Sequence, residues 1–278
     1  MKPLVSICCI TYNHEKYIAQ AIDSFLMQKT SFPFEIIIHD DASTDNTPAI
    51  IRSYVSNYPN IIRPIYQTEN KFSKGHKISI EYVWPKTHGK YIALCEGDDF
   101  WTNKTKLECQ VVALQGNKNA SLCSHYVLVM DNSNKITGRI PCTKSVNERS
   151  IIIGVSGNIH TSSIIFNKTK IVKYYNCLKL FPVGDVALKN IAITSGEIIF
   201  IPKVLSIYRK DAANSWTFNI NKSIIRSIIH SFHLICAYTY ILLSFNKHKI
   251  PTIIAIFLCL RQITIFPFKY IISKFRKW

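Results

Sequence analysis

Several features that mark common classes of protein are missing from this chain. Only nine of its 278 residues are glycine, and the GxGxxG turn of dinucleotide-binding proteins does not occur. The nine cysteines include no CxxC pair and no Cys/His spacing suited to zinc. Met1-Lys2-Pro3 leads into an apolar stretch without a small-residue cleavage site, so we do not expect a signal peptide. These absences indicate a cytoplasmic protein with reduced, buried thiols.

Acidic residues are missing from the end of the chain. The last carboxylate is Asp211, and nine basic residues follow it in a protein of net charge +17. This tail is also rich in apolar residues, which suits an anionic membrane surface better than nucleic acid. The segment 250–268 is nearly long enough to span a bilayer, but Arg261 near its middle would cost roughly 2.5–3.5 kcal/mol there. We therefore expect helices over 224–245 and 250–275 that lie on the membrane.

The first part of the chain alternates between strand-like and helix-like segments. Apolar runs predict strands over 4–10, 34–38, 61–66 and 91–95, with helices over 16–28 and 43–55 and near 78–84. Such alternation predicts an α/β fold with a mostly parallel sheet covered by helices on both faces. Later segments predict helices near 104–116 and 186–193, and strands near 121–130, 162–166, 198–201 and 204–208.

Polar residues follow three of the predicted strands. The first strand leads into Thr11-Tyr12-Asn13, the second into Asp40-Asp41 and the fourth into Glu96-Gly97-Asp98-Asp99. The carboxyl ends of parallel strands share one edge of a sheet, where ligands bind. Three carboxylates directly after a buried strand cannot all stay ionised in a dry core. They are therefore predicted to hold a divalent cation against a phosphorylated substrate.

In this order the segments resemble the family 2 glycosyltransferases of the GT-A fold. The resemblance rests on 5–13, 35–45 and 89–101, covers about the first 115 residues well, and continues thinly to about residue 209. It implies inverting transfer of a sugar from a nucleotide-sugar donor with Mn²⁺ or Mg²⁺. On this basis residues 1–215 form a GT-A domain with a nucleotide-binding half (1–115) and an acceptor-binding half (116–215). The basic, apolar tail (216–278) lies outside the shared fold.

The resemblance also implies roles for the residues at the strand ends. The usual metal motif is Asp-x-Asp, and Glu96 stands at its first position, so Asp98 is expected to be the principal metal ligand. Asp99 is expected near the donor ribose or the metal. A nucleoside hydrogen bond is expected for at least one of Asp40 and Asp41, with a helix cap as the alternative. The donor pocket is further expected to include Thr11, Tyr12, Asn13, Glu96 and Gly97.

The second half of the chain is expected to supply the base and the acceptor contacts. The family has an acidic base at the start of a helix there, a role that falls to Asp185, for which a helix N-cap is the alternative. Acceptor, donor-sugar or diphosphate contacts are expected from Trp101, His160, Thr161 and Arg209. Core packing is the alternative for Trp101, and ordering of a loop is the alternative for Arg209.

The predicted activity is transfer from a nucleotide sugar, with a UDP-sugar as the expected donor, to a saccharide or lipid-linked saccharide in cell-surface polysaccharide synthesis. The predicted location is the cytoplasmic face of the plasma membrane. A nucleotidyltransferase that makes sugar nucleotides is one alternative, but it needs a Gly-rich basic loop, and Thr11-Tyr12-Asn13-His14 contains no glycine. A non-catalytic, membrane-bound scaffold with a degenerate site is the other, suggested by Glu96.

Overall fold

The computed structural model describes residues 2–141, 159–180 and 184–210, together with isolated helical positions between 229 and 260. The described strands are β1 (Val5–Thr11), β2 (Phe34–Asp40), β3 (Ile62–Tyr66), β4 (Tyr91–Leu94), β5 (Phe100–Trp101), β6 (Ala120–Met130), β7 (Ile136–Ile140), β8 (Ile165–Asn167) and β9 (Glu197–Arg209). The described helices are α1 (Ile18–Leu26), α2 (Thr47–Asn57), α3 (Lys106–Gly116), α4 (Lys168–Val172), α5 (Tyr175–Leu180) and α6 (Gly184–Ser195). Short helical turns lie at Phe72–Lys74, Ser79–Val83, Trp84–Lys86 and Thr161–Ser163.

The first four strands form the parallel half of the sheet, in the order β3-β2-β1-β4. Most of their apolar residues are buried because helices cover both faces, as predicted from the alternation, and only β3 is largely half-buried or exposed. The register places Thr11 opposite Asp40 at the ends of β1 and β2, and Cys8 opposite Leu94 at the end of β4. The loops after these three strands therefore leave from one edge.

The sheet continues through the second half of the chain in the order β8-β6-β9-β5, with β7 beside β6. Here β8 is antiparallel to both β4 and β6, whereas β6 and β9 are parallel, and β5 is antiparallel to β9. The predicted α/β sheet is confirmed, but its second half is mixed rather than mostly parallel. The division into two halves stays a prediction, since one continuous sheet runs through both.

The two faces of the sheet bury separate apolar cores. Ile7 and Cys9 pack on one face with Phe25 of α1, while Cys8 and Ile92 pack on the other face with Leu188 of α6. Side chains alternate between the faces along each strand, so neighbouring residues of β1 serve different cores. The two cysteine thiols are buried, as the sequence predicted.

Several elements differ from the sequence prediction. The segments predicted as two strands around Pro202 form the single strand β9, because a bulge accommodates the proline. Ile201 pairs with His125 and Val204 with Tyr126, so two residues of β9 have no counterpart in β6. The short strands β5 and β7 were not predicted. The expected tail helices lie almost entirely outside the described residues. No helix in the described ranges has the length and apolar character to span a bilayer.

Candidate active site

The loops after β1 and β2 are tied together by hydrogen bonds between side chains and backbone. Asn13 has a left-handed backbone conformation with φ 55°, and its Oδ1 accepts from Thr44 N at 2.8 Å. The backbone N–H of Asn13 donates to Ser43 Oγ at 2.8 Å. Asp45 Oδ1 accepts from Thr47 N, at the first residue of α2, at 2.9 Å. Asn13 is thus a turn residue that fixes the shape of the predicted donor pocket.

Asp40 and Asp41 are both buried, but their carboxylates have different surroundings. The two oxygens of Asp41 accept from Lys71 N at 2.9 Å and Phe72 N at 3.0 Å, so this carboxylate anchors the loop after β3. Asp40 Oδ1 accepts from Ser43, and its other oxygen has no hydrogen bond among the described residues. Burial raises the pKa of Asp40, and the bonds from Ser43 oppose that rise. Asp40 is thus the member of the pair with an oxygen left to accept from a nucleoside, and that role stays a prediction.

The acidic turn after β4 lies tightly against the end of β1. Gly97 N donates to Ile10 O at 2.9 Å, and a Cβ at position 97 would lie 2.7 Å from Thr11 Oγ1 and 3.0 Å from His14 Nδ1. Glycine is required here because no side chain fits between the turn and the strand. Gly97 therefore contributes to the site through its lack of a side chain, and this close approach helps to bury Asp98 and Asp99.

Arg209 at the end of β9 holds this turn from the other side. Its Nη1 donates to the carbonyl oxygen of Asp98, and its backbone N–H donates to Asp99 Oδ1 at 3.0 Å. Arg209 is only 8% exposed, and its guanidinium carbon lies 4.9 Å from the ring centroid of Tyr17 and 4.7 Å from that of Phe100. These bonds agree with the alternative that Arg209 orders a loop, and its contact with acceptor or diphosphate stays a prediction.

The carboxylates of Asp98 and Asp99 keep oxygens that the protein does not satisfy. Asp98 Oδ1 and Asp99 Oδ2 are buried and have no hydrogen-bond partner among the described residues, and the same holds for Thr11 Oγ1. Burial, followed by the charges of Asp98 and Glu96, raises the pKa of Asp99 well above its ordinary value. Buried carboxylate oxygens that accept no hydrogen bond are costly, and a divalent cation would satisfy them.

The carboxylates of Asp98 and Asp99 suit a cation that takes most of its ligands from a bound phosphate and from water. Across the described ranges, no group of three His, Cys, Asp or Glu side chains converges as a ready-made metal cage. Mg²⁺ and Mn²⁺ sites at phosphorylated substrates commonly use one or two carboxylates, with phosphate and water oxygens completing the shell. Asp98 and Asp99 meet that need. The exposed Glu96 lies at the surface of the same turn.

His160 comes close to the acidic turn from the second half of the chain. Its Nδ1 lies 3.7 Å from Asp99 Oδ2, and its ring packs on Tyr208 with centroids 4.1 Å apart. The same nitrogen accepts from Ser162 N at 3.3 Å and so caps the short helical turn Thr161–Ser163. The structure thus brings His160 to the predicted site, with the half-buried Thr161 beside it.

Trp101 is a core residue, so its prediction as an acceptor platform is wrong. Its side chain is 1% exposed, meets the edge of Phe25 with centroids 4.9 Å apart, and donates from Nε1 to Ser162 O at 3.0 Å. The Lys106 ammonium group lies 3.9 Å from the centre of its ring. An aromatic residue next to an acidic motif cannot be assigned to surface or core from sequence, because both positions favour a large apolar ring.

Two residues near the site were missed from the sequence, Lys106 and Gln110. Both are completely buried in α3. They lie one helical turn apart, and Leu114 follows one turn later on the same face of the helix. This four-residue spacing with a buried leucine was the sequence signal that both side chains face the core. A lysine at the start of a helix was overlooked because lysine is seldom fully buried.

For two other predicted site residues, the structure gives the position in the fold alone. Asp185 is the second residue of α6, which agrees with the expected acidic residue at the start of a helix. Tyr12 directly follows β1 and is half-buried beside Asn13. The catalytic role of Asp185 and the donor contact of Tyr12 stay predictions.

The fold is of the GT-A type, and it places the buried carboxylate of Asp40, at the edge of the parallel strands, on the same side as the buried acidic turn. The model of the family described as Glycosyl transferase family 2 matches residues 6–170, more than half of the chain. The chain therefore belongs to glycosyl transferase family 2, as the motifs predicted.

Relatives by sequence include a mycobacterial and an enterobacterial protein. The uncharacterized protein Rv1520 of Mycobacterium tuberculosis is 35% identical over 215 residues, which covers 76% of this chain and 60% of the relative. The chain thus spans less than two thirds of the length of that relative. The Escherichia coli protein WfaP, named UDP-Glc:alpha-D-GlcNAc-diphosphoundecaprenol beta-1,3-glucosyltransferase, is 27% identical over 253 residues, covering 88% of this chain and 95% of WfaP.

Solved structures share the fold at low sequence identity. Staphylococcus aureus TarS in complex with UDP-GlcNAc matches with a TM-score of 0.68 and 17% identity, covering 95% of this chain and 73% of TarS. A mannosyltransferase from Pyrobaculum calidifontis in complex with GDP-Man and Mn²⁺ matches with a TM-score of 0.61 and 16% identity, covering 95% of this chain and 70% of that protein. At these identities the matches establish the fold alone.

Proposed function

We propose that this protein is a metal-dependent, inverting glycosyltransferase that moves a sugar from a nucleotide sugar to a saccharide or lipid-linked saccharide in cell-surface polysaccharide synthesis. The observation that carries the proposal is the pair of buried, unsatisfied oxygens of Asp98 and Asp99 at the sheet edge that also bears Asp40. A UDP-sugar is the proposed donor, in line with the UDP compounds in the names of WfaP and of the TarS complex.

The residues have separate tasks in the proposed reaction. Asp98 is the principal ligand for Mn²⁺ or Mg²⁺, and Asp99 supports it. The bound ion would act as a Lewis acid that stabilises negative charge on the departing diphosphate. Asp40 accepts a hydrogen bond from the nucleoside, and Arg209 keeps the acidic turn in place through its bonds to Asp98 and Asp99.

The acceptor is activated from the other half of the domain. Asp185 takes the proton of the acceptor hydroxyl as the oxygen attacks the anomeric carbon, on the side opposite to the leaving diphosphate. Inversion follows from this single displacement. His160, close to Asp99, contacts the donor sugar or the acceptor. The basic, apolar tail holds the enzyme on the cytoplasmic face of the plasma membrane, where a lipid-linked acceptor is found.

The proposal is tested with purified full-length protein and a panel of UDP-glucose, UDP-GlcNAc and GDP-mannose. We expect nucleotide release that requires Mn²⁺ or Mg²⁺ and stops on chelation. Asp98→Asn should lower turnover by about 10²- to 10³-fold because the departing charge is no longer stabilised. Asp23→Asn, which changes an exposed aspartate bonded to Tyr54, is the matched control and should leave turnover unchanged.

Asp185→Asn separates the proposed base from the donor site in the same assay. It should abolish transfer while leaving the dissociation constant of the donor nearly unchanged, because Asp185 acts on the acceptor. Collapse of donor binding in this variant would contradict the role of Asp185. Pyrophosphate formation from a nucleoside triphosphate and a sugar 1-phosphate would instead support a nucleotidyltransferase. No turnover with any donor, and no change in donor binding on Asp98→Asn, would support a scaffold.

A further inference from the structure

Helix α3 places a lysine and a glutamine side by side in the core. Lys106 Nζ donates to Gln110 Oε1 at 2.7 Å and lies 3.9 Å from the centre of the Trp101 ring. Both polar residues have 0% exposure, and no carboxylate of the described residues pairs with the lysine. Burial lowers the pKa of Lys106 to about 7, so the amine can lose its charge near neutrality. A fully buried lysine is costly enough to require an explanation.

The partners of Gln110 lead from this pair to the candidate active site. Gln110 Nε2 donates to Ser163 O at 2.8 Å and to Cys123 O at 3.2 Å. Trp101 Nε1 donates to the neighbouring carbonyl, Ser162 O, at 3.0 Å. Two consecutive carbonyls of the Thr161–Ser163 turn thus accept hydrogen bonds from side chains, one from Trp101 in β5 and one from Gln110 in α3. The residue that caps this turn is His160, 3.7 Å from Asp99.

The lysine helps to hold the glutamine amide in one orientation. An amide has one oxygen that only accepts and one nitrogen that only donates. The oxygen of Gln110 accepts from Lys106, and the nitrogen donates to the carbonyls of Ser163 and Cys123, so the three partners together fix the amide. Without the lysine, the oxygen would lie buried and unsatisfied, and the side chain would lose one of the three hydrogen bonds that hold its amide against the turn.

We propose that Lys106 is a positioning residue for His160, acting through the Gln110 amide on the turn Thr161–Ser163. The inference rests on the proposed function, because it assumes that His160 contacts the reacting sugar. Lys106 itself touches neither donor nor acceptor in this scheme. Its effect is on the placement of a ring next to Asp99, where displacements of about 1 Å are known to cost up to 10²-fold in rate.

The experiment compares Lys106→Met with Lys104→Met in the full-length protein. Methionine keeps the length and apolar stem of lysine but cannot donate, and Lys104 is an exposed lysine two residues away. For Lys106→Met we expect kcat to fall about tenfold or more, with the dissociation constant of the donor nucleotide within about twofold of wild type. Lys104→Met should change neither. Unchanged kcat in folded Lys106→Met protein, or an equal loss of donor binding, would overturn the proposal.

A second readout does not depend on turnover. In NMR spectra of protein with isotopically labelled histidine, recorded at one pH, the His160 ring signal should move in Lys106→Met and stay in place in Lys104→Met. The signal is identified from its loss in His160→Gln. A His160 signal that stays in place in folded Lys106→Met would refute the positioning role, even if no donor supports transfer. Absence of wild-type transfer therefore counts against the proposed function alone.

Gln110→Glu provides a variant that keeps a partner for the lysine. The carboxylate still accepts from Lys106, but it cannot donate to Ser163 or Cys123, so both bonds to carbonyls are lost. We expect the same displacement of the His160 signal and a similar loss of kcat. If Lys106→Met does not fold, this variant decides the question: wild-type kcat and an unmoved His160 signal would overturn the proposal.

Discussion

At the scale of single residues, Gly97 determines how closely the acidic turn approaches β1. A Cβ at this position would lie 2.7 Å from Thr11 Oγ1 and 2.8 Å from Thr11 Cβ. Both atoms belong to the rigid start of a buried side chain, so they cannot move aside easily. The glycine thus makes the burial of Asp98 and Asp99 possible, and with it the unsatisfied oxygens proposed to bind the cation.

Gly97→Ala should therefore destabilise the protein by about 1–3 kcal/mol, the usual cost of forcing extra atoms into a packed site. We also expect weaker Mn²⁺ binding, because the turn must move away from β1. Gly116→Ala is the control: its new Cβ meets nothing within 4 Å, so stability should hold or rise slightly. Chemical denaturation and Mn²⁺ titration measure the two effects. Equal stability of the two variants would contradict this account.

The sequence identified residue types at the site better than their orientations. Carboxylates after buried strands need a ligand or a partner wherever they point, so Asp40, Asp98 and Asp99 could be found from their positions alone. Whether Trp101 faces a sugar or the core depends on the tertiary packing of Phe25 and Lys106 around it. The same holds for Asp41, whose carboxylate binds backbone N–H groups 30 residues away.

At the scale of elements, Glu35 joins the strands at the edge of the sheet opposite the site. Its carboxylate is 3% exposed and accepts from Ser6 Oγ in β1 at 2.7 Å, from His88 N before β4 at 2.7 Å and from Arg63 Nε in β3 at 3.1 Å. Burial raises the pKa of Glu35, but the hydrogen bonds from Ser6 and His88 outweigh it, so the pKa lies below its ordinary value.

A lowered pKa in the folded state means that ionised Glu35 stabilises the protein above the unfolded pKa of about 4.3, and that this stability is lost as the pH falls below it. Glu35→Gln should cost about 1–3 kcal/mol at pH 7, because the buried network loses its charged acceptor. The difference from wild type should shrink as the pH approaches 3. Denaturation curves at several pH values measure it. A difference that is constant from pH 3 to 7 would show that the charge of Glu35 does not stabilise the fold.

The elements themselves were predictable where their residues form long, periodic runs. The strands and helices up to residue 66 follow the predicted alternation with ends shifted by a few residues. The two-residue strand β5 and the proline bulge in β9 were not predictable, because both depend on pairing partners more than 70 residues away in the chain. Pro202 appeared to separate two strands because proline cannot donate to a sheet, whereas the bulge removes that need.

At the scale of the whole molecule, described positions of the tail lie against the helix that carries Asp185. Tyr238 is 3% exposed and packs with Val186, the residue after Asp185 in α6. Other tail residues present apolar side chains outward: Phe232 is 59% exposed and Ile253 is 52% exposed. If the tail rests on a membrane as proposed, the start of α6 would lie near the bilayer surface.

The last prediction concerns the basic end of this tail. In sedimentation with vesicles of anionic phosphatidylglycerol mixed with phosphatidylcholine, the wild-type protein should bind, and binding should weaken with salt. Replacing four basic residues with glutamine should weaken it by about 10²- to 10³-fold, at roughly 1 kcal/mol per charge. The four are Lys269, Lys274, Arg276 and Lys277.

The matched control makes the same change of charge on the folded domain. Its four lysines are exposed, and their replacement by glutamine should leave most of the binding intact: Lys2, Lys16, Lys104 and Lys203. If both quadruple variants lose binding equally, net charge rather than the tail holds the protein on the surface. If the wild type binds anionic and neutral vesicles alike, or neither, the tail has no electrostatic role, and the acceptor need not be bound to a membrane.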